Sequence, residues 1–229
     1  MRRYSLNPSI LTVCVLAVIV TLVGCVSPSS YHTARTVDSG ETEILLALEG
    51  SGSTSDFSDG VQVQHPSLHI RRGVADTIDL GLSAGSTGTG LDANFMLAES
   101  DEIAFSVNPY GGVAGVWELF RDDGAAREDV VLATAQLGIF VDVAAADSVT
   151  LTLGGKPGVF HQMEWSGFGE SERQRMRGYY VAGSAGMRID LENEMHLFPE
   201  VNVLWMDDIQ PGDLPVDGVI ITVGMGLGF

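Results

Sequence analysis

Beyond residue 40 the chain holds no apolar run long enough to form a membrane-crossing helix, and its apolar residues recur at every second position instead. Ile44, Leu46 and Leu48 share one phase, and Leu68 and Ile70 share another. Ile78, Leu80, Leu82 and Ala84 alternate with Thr77, Asp79, Gly81 and Ser83. Leu91, Ala93, Phe95 and Leu97 alternate with Asp92, Asn94 and Met96; Ile103, Phe105 and Val107 follow the same rule. The pattern returns at Ala133–Val141, Val149–Leu153, Val181–Ile189, Leu197–Trp205 and Val219–Phe229. A side-chain period of two belongs to strands, where successive residues face opposite sides of a sheet. The chain therefore reads as all-β with ten candidate strands, and any crossing of a membrane must be by strands. Val113–Arg121 fits either a helical turn or a strand extension.

The connections alternate in length. Short polar turns fall at Gly73–Asp76, Glu99–Asp101, Ala144–Asp147 and Glu192–Glu194. Longer segments fall at Gly50–Gly60, Val113–Glu128, Lys156–Arg177 and Met206–Asp217, with Ser86–Thr89 short where a long one is due. Short turns at one end and long loops at the other are the build of an antiparallel up-and-down barrel. The expected fold is such a barrel over residues 41–229, with about ten strands (8–10) and both chain ends at the short-turn end. Alternation alone leaves its polarity open, because a lipocalin-like carrier keeps the same period with apolar residues inside. The polar phase is rich in Gly, Ser, Ala and Thr and carries charges of both signs, Arg71 and Arg188 with Asp79, Asp92, Glu102 and Asp190. That suits a crowded interior better than a soluble surface. Two features pull the other way. Pro66, Pro109 and Pro199 fall within the proposed strands and cannot donate to a ladder. Leu45 and Val130–Leu132 place apolar residues on both faces.

The amino terminus reads as an export signal. Met1-Arg2-Arg3 is basic, and Ile10–Val23 is apolar apart from Thr12, Cys14 and Thr21. As a helix that run would span roughly 21 Å, short of a bilayer core of about 30 Å. Directly after it, Leu22-Val23-Gly24-Cys25 resembles the lipobox of bacterial lipoproteins. The resemblance implies cleavage before Cys25, diacylglycerol on its thiol and acylation of the new amine by the lipoprotein-processing machinery. Val26 rather than Asp follows the cysteine, which in that family points to the outer membrane. Residues 1–24 are then the signal peptide and 25–40 a Ser/Thr-rich flexible linker. Only Cys14 and Cys25 exist, so the mature chain has no disulfide to form. The formal charge is −18, and the leader takes Arg2 and Arg3 with it, which excludes nucleic acid as a partner.

The last segment, Val219-Ile220-Ile221-Thr222-Val223-Gly224-Met225-Gly226-Leu227-Gly228-Phe229, resembles the C-terminal strand of outer-membrane β-barrels. In those proteins the terminal aromatic is read by the barrel-assembly machinery, which makes Phe229 the expected assembly signal. Arg71–Leu82 and Ala34–Glu41 also resemble units of small outer-membrane β-barrel-domain proteins.

Signs of catalysis are sparse. His32, His65, His69, His161 and His196 have no metal-ligand spacing with one another or with cysteine. His161 lies near Glu164 and Ser166, which leaves an envelope-lipid hydrolase as a minor alternative. Asp207, Asp208, Asp213 and Asp217 share one loop without a calcium-loop signature. Arg173, Arg175 and Arg177 would either grip lipopolysaccharide phosphates or pair with Glu164, Glu170 and Glu172. Trp117, Trp165 and Trp205 sit near the proposed loop ends, where interface aromatics belong. The reading is a non-enzymatic outer-membrane barrel of a Gram-negative-type bacterium, with its N-terminal lipid anchor on the periplasmic side, in contact with outer-membrane lipid, with a structural, narrow-pore or interaction role and no cofactor. The alternative is a tethered periplasmic lipocalin-like barrel for an apolar ligand. Oligomeric state is open.

Overall fold

The computed structural model describes residues 29–53, 62–85, 88–116, 128–166, 175–208 and 219–229. Ten strands run in chain order. They are β1 (Thr42–Ser53), β2 (Gln62–Ala75), β3 (Ile78–Gly85), β4 (Gly88–Glu99), β5 (Ile103–Val116), β6 (Glu128–Ala146), β7 (Val149–Ser166), β8 (Arg175–Asp190), β9 (His196–Asp208) and β10 (Val219–Gly228). Each pairs antiparallel with its sequence neighbours, and β1 pairs with β10, so the sheet closes into a barrel. At the seam Leu46 stands opposite Leu227, and Ile44 and Phe229 exchange two backbone hydrogen bonds of 3.0 Å. Closure leaves no free edge, so every strand has two partners for its backbone.

The two faces are sharply different. Leu48, Leu91, Leu153 and Met225 point outward and are 53–66 % exposed. Asp79, Asn94, Asp142 and Asn202 point inward and are 0 % exposed. Leu80, Leu82, Phe95 and Val223 share the outward face. The interior also holds apolar clusters, two of which bear on the sequence reading. One is Leu45 with Tyr31, Ala47 and Phe198, and the other is Phe160 with Tyr180, Ala182 and Leu204, against which Leu132 packs. These clusters account for Leu45 and Leu132 on the polar phase. An interior of this kind is the reverse of the lipocalin-like arrangement.

The prolines are accommodated by the ladders themselves. Pro66 lies one residue past the end of the β2–β3 ladder, which stops at Ser67 opposite Gly85. Pro109 pairs with Leu137 on β6 but faces a break in the β4–β5 ladder between Asp92–Tyr110 and Phe95–Val107. There Asn108 Nδ2 donates to the Ala93 carbonyl at 3.2 Å, a donor in the place where proline has none. Pro157 and Pro199 face similar breaks, in β6–β7 and β8–β9.

Strand limits differ from the sequence expectation at one place that matters. Lys156–Arg177 reads as a loop because Gly154-Gly155-Lys156-Pro157-Gly158 has turn composition. In the fold β7 continues to Ser166, and Lys156 is completely buried in the barrel interior. The glycines there leave room for large neighbours: a Cβ on Gly154 would meet the Phe140 ring, and one on Gly158 the Tyr180 ring. Val113 to Val116 extends β5; Trp117–Arg121 lies outside the described residues.

Candidate functional site

The barrel interior is built from charged residues on the inward phase of nearly every strand. Arg71 on β2 donates from Nε to Asp79 on β3 at 2.9 Å and from Nη2 to Asp92 on β4 at 2.7 Å. Asn108 on β5 adds a hydrogen bond to Asp92 at 2.8 Å. Across the lumen Lys156 on β7 reaches Asn202 at 3.0 Å and Glu200 at 3.5 Å, both on β9. Near the turn end Arg188 bridges Glu43 at 2.9 Å and Asp190 at 2.7 Å, with His196 Nε2 3.7 Å from Glu43. Ions as buried as Arg71, Asp79, Lys156 and Glu200 are sustained by opposite charges and hydrogen bonds. The expected pairing of Arg71 and Arg188 with inward acids is thus present, and Lys156 joins it as a residue the sequence reading had assigned to a loop.

The lumen also contains part of the chain itself. Residues 29–40, read from composition as part of a flexible linker, run through the barrel interior as an extended strap. A closed barrel uses its own backbone groups in its ladders, so the strap must find side-chain partners for its N–H groups. Inward carboxylates supply them. Glu200 accepts from the amides of Tyr31 at 2.8 Å and Ser30 at 3.2 Å. Asp142 accepts from Arg35 N at 3.0 Å, and Asp79 from Val37 N at 3.1 Å. Lys156 Nζ donates to Ser30 Oγ at 3.1 Å, and Asn202 Nδ2 to Ser29 Oγ at 3.0 Å. At the turn end the strap is clipped by Gly40 N to Gly73 O at 2.9 Å and Gly73 N to Glu41 O at 3.1 Å. Gly73 is glycine because a Cβ there would run into the carbonyl oxygen of Asp38.

Apolar and aromatic contacts complete the seating. Tyr31, 1 % exposed, takes a left-handed backbone conformation (φ 47°) and sets its ring edge-on to Phe198 and His69. His32 lies against Phe140 with ring centroids 4.4 Å apart. Ala34 packs with Phe140 and Ala104. At the turn-end mouth Arg35 ties to Glu99 at 3.0 Å and to the carbonyl of Ser100 at 2.9 Å. A vestibule of about 900 Å³ opens beside the strap there, lined among others by Arg35, Arg188, Asp147, Glu194 and Phe229. The sequence sign available for the strap was the placement of Asp142 and Glu200 on the inward phase: neither has a base beside it in its own strand, and each needs donors from elsewhere.

Of the remaining sequence-singled residues, His161, Arg177 and Trp205 lie on the outward side of the wall. His161 is on the outward phase of β7, not in a loop, and Arg177 Nε stands 3.3 Å from its Nδ1. Just below, Tyr179 and Trp205 meet edge to face at 5.7 Å, and the Tyr179 hydroxyl donates to Asp207 at 2.8 Å. Glu164 and Ser166 lie on β7 and Arg175 opens β8. Cys25, Trp117, Glu170, Glu172, Arg173, Asp213 and Asp217 lie outside the described residues. Among the described residues no three metal-ligating side chains converge.

No family model matches this sequence, and no curated protein matches it either. Solved barrels are similar in fold only. The attachment invasion locus protein Ail of Yersinia pestis aligns over 83 % of this chain and 99 % of its own, at 13 % identity and a TM-score of 0.42. The outer-membrane protease OmpT of Escherichia coli aligns over 82 % and 95 %, at 11 % identity and 0.43. Neisserial surface protein A aligns over 82 % and 94 %, at 9 % identity and 0.41.

Proposed function

We propose that this protein is an outer-membrane β-barrel, anchored by lipid on Cys25, with a structural or interaction role and no enzymatic one. The carrying observation is the polarity of the wall: leucine, valine, phenylalanine and methionine outward, paired charges inward. An outward band this apolar is unfavourable in water and suits the hydrocarbon core, which a strand of about 9–11 residues crosses. All ten strands but the eight-residue β3 reach that length. At the loop end the outward Tyr179–Trp205 pair matches an interfacial aromatic belt. Arg177 and His161 stand beyond it at headgroup height, where the guanidinium is placed for lipid phosphates, lipopolysaccharide included. With the strap seated, the lumen is occupied by the chain's own residues, so the role that fits is a closed barrel rather than an open pore. Phe229, paired with Ile44 at the turn end, fits the part of an assembly signal.

Two measurements test this reading. Folded protein extracted from outer membranes should migrate differently on an unboiled gel than after boiling, since membrane barrels resist detergent until heated; identical mobility would count against a membrane barrel. Cys25→Ser should abolish incorporation of labelled fatty acid, because its thiol is the acceptor; label remaining in the variant would remove the lipid anchor.

A further inference from the structure

The turn-end vestibule beside the strap is lopsided in charge. Eight carboxylates line it against three arginines. The arginines are already engaged: Arg71 by Asp79 and Asp92, Arg188 by Glu43 and Asp190, and Arg35 by Glu99. Asp101, Asp147 and Glu194 form no ion pair among the described residues. They stand on three different turns, β4–β5, β6–β7 and β8–β9, so acid surrounds the mouth.

Acid on exposed turns needs only water, but the inner wall points to a ligand. His32 and His196 line the vestibule and are 5 % and 2 % exposed. His32 Nδ1 lies 2.9 Å from the Thr33 carbonyl, which can only accept, so Nδ1 carries the proton. In the neutral ring its Nε2 is then an acceptor, and no donor meets it. His196 Nδ1 makes no hydrogen bond, and its Nε2 stands 3.7 Å from Glu43. Buried polar atoms are nearly always hydrogen-bonded, so two orphaned imidazole nitrogens on one cavity wall call for a partner.

The acceptors and the volume together narrow its chemistry. Carboxylates and a bare imidazole nitrogen ask for N–H donors with positive charge. Calcium would need six to eight converging oxygens, and among the described residues no three acid or histidine side chains converge. The charges are spread around a space of about 900 Å³, within the roughly 300–1,000 Å³ usual for small-molecule sites. A chain carrying several ammonium groups matches spread charges, since each ammonium brings three donors and no acceptor. Ala144–Ala146, Leu191 and Met195 on the same lining offer apolar surface to its methylenes.

We infer that the vestibule is a binding site for a linear alkylammonium polycation of the polyamine kind, with one ammonium at the histidine wall and the others at the acidic mouth. The strap forms one side of the site, so the site exists only while the strap is seated. The inference goes beyond the proposed role and needs neither the lipid anchor nor the membrane; its failure leaves both standing.

The test is calorimetric titration of the full chain, refolded in detergent, with spermidine in physiological salt. One saturable equivalent is expected. Asp101→Asn, Asp147→Asn and Glu194→Gln combined should weaken binding at least tenfold. Asp208→Asn, Asp213→Asn and Asp217→Asn, which remove the same charge between β9 and β10 at the loop end, should change it less than twofold. Unboiled gel mobility confirms that both variants are folded. In the parent chain labelled with ¹⁵N-histidine, ring signals of His32 and His196 should move on titration while those of His161 stay. Trilysine serves as a second probe. Tighter binding of spermidine assigns the site to free polyamines, and tighter binding of trilysine assigns it to lysine side chains of a peptide; both keep the alkylammonium chemistry. Equal weakening by the two triple variants would overturn the site, because binding would then follow net charge alone. Displacement of spermidine by an equal concentration of Mg²⁺, or histidine signals that do not move, would overturn it as well.

Discussion

Arg71 holds two carboxylates at once, Asp79 and Asp92, inside a wall from which water is largely excluded. Its removal leaves both acids facing each other without a counter-charge. Arg71→Met is expected to lower stability by about 3–5 kcal/mol, the usual result of deleting one partner of a buried ion pair. Urea unfolding of barrels refolded in lipid vesicles measures it. Adding Asp79→Asn to the same chain should recover part of the loss, because the remaining Asp92 keeps the Asn108 hydrogen bond. A double variant no better than the single one would mean that packing of the arginine stem, not charge, is what matters at this position.

At the level of elements, each strand carries one apolar and one polar face, and β3 shows the division most plainly. Leu80 and Leu82 are 50 % and 42 % exposed on the outside while Asp79 is fully buried within. Leu82 sits mid-strand, paired with Ile70 and Leu91, so in a membrane it lies near the midplane. Leu82→Arg should cost about 2–4 kcal/mol in lipid, the range for a cation on the lipid-facing surface of a barrel. The neighbouring Ser83→Arg, on the inward phase, should cost less. Refolding yield and urea midpoints in vesicles compare the two, and the opposite order would argue for a water-facing exterior. The strap is the other element of note: it has no regular structure, yet the wall offers its amides carboxylates at successive heights.

For the molecule as a whole, closure depends on the seam between the first and last strands, which ends on Phe229. The residue is half exposed at the turn end and shares two backbone hydrogen bonds with Ile44. Burying its ring contributes at most about 3 kcal/mol, too little for its loss to unfold a closed ten-stranded sheet. If the terminal aromatic is read during assembly, deleting Phe229 should reduce the amount of folded, heat-modifiable protein in the outer membrane far more than it reduces the stability of protein refolded in detergent. Both quantities can be measured on one deletion. Equal, small losses would show that Phe229 acts only as part of the seam.

Strand number, strand phase and antiparallel order were legible in the sequence because a period of two is a local property: Leu80, Phe95 and Val223 announce their face from their neighbours alone. Which face turned outward was only suggested by composition; closing β1 onto β10 decided it, since closure makes one side an interior of limited volume. Lys156 was misplaced because Gly-Gly-Lys-Pro-Gly has turn composition, and only a distant acid, Glu200 on β9, makes it a strand residue. The strap was not legible from its own residues. Ser29 to Gly40 carries no periodicity, and its structure comes from Glu200, Asp142, Asp79 and Gly73, residues up to 170 positions from the strap residue they hold, which meet it only when the barrel has closed around it. Periodic, nearest-neighbour information sets the wall, whereas the lumen is filled by long-range hydrogen bonds that no local pattern encodes.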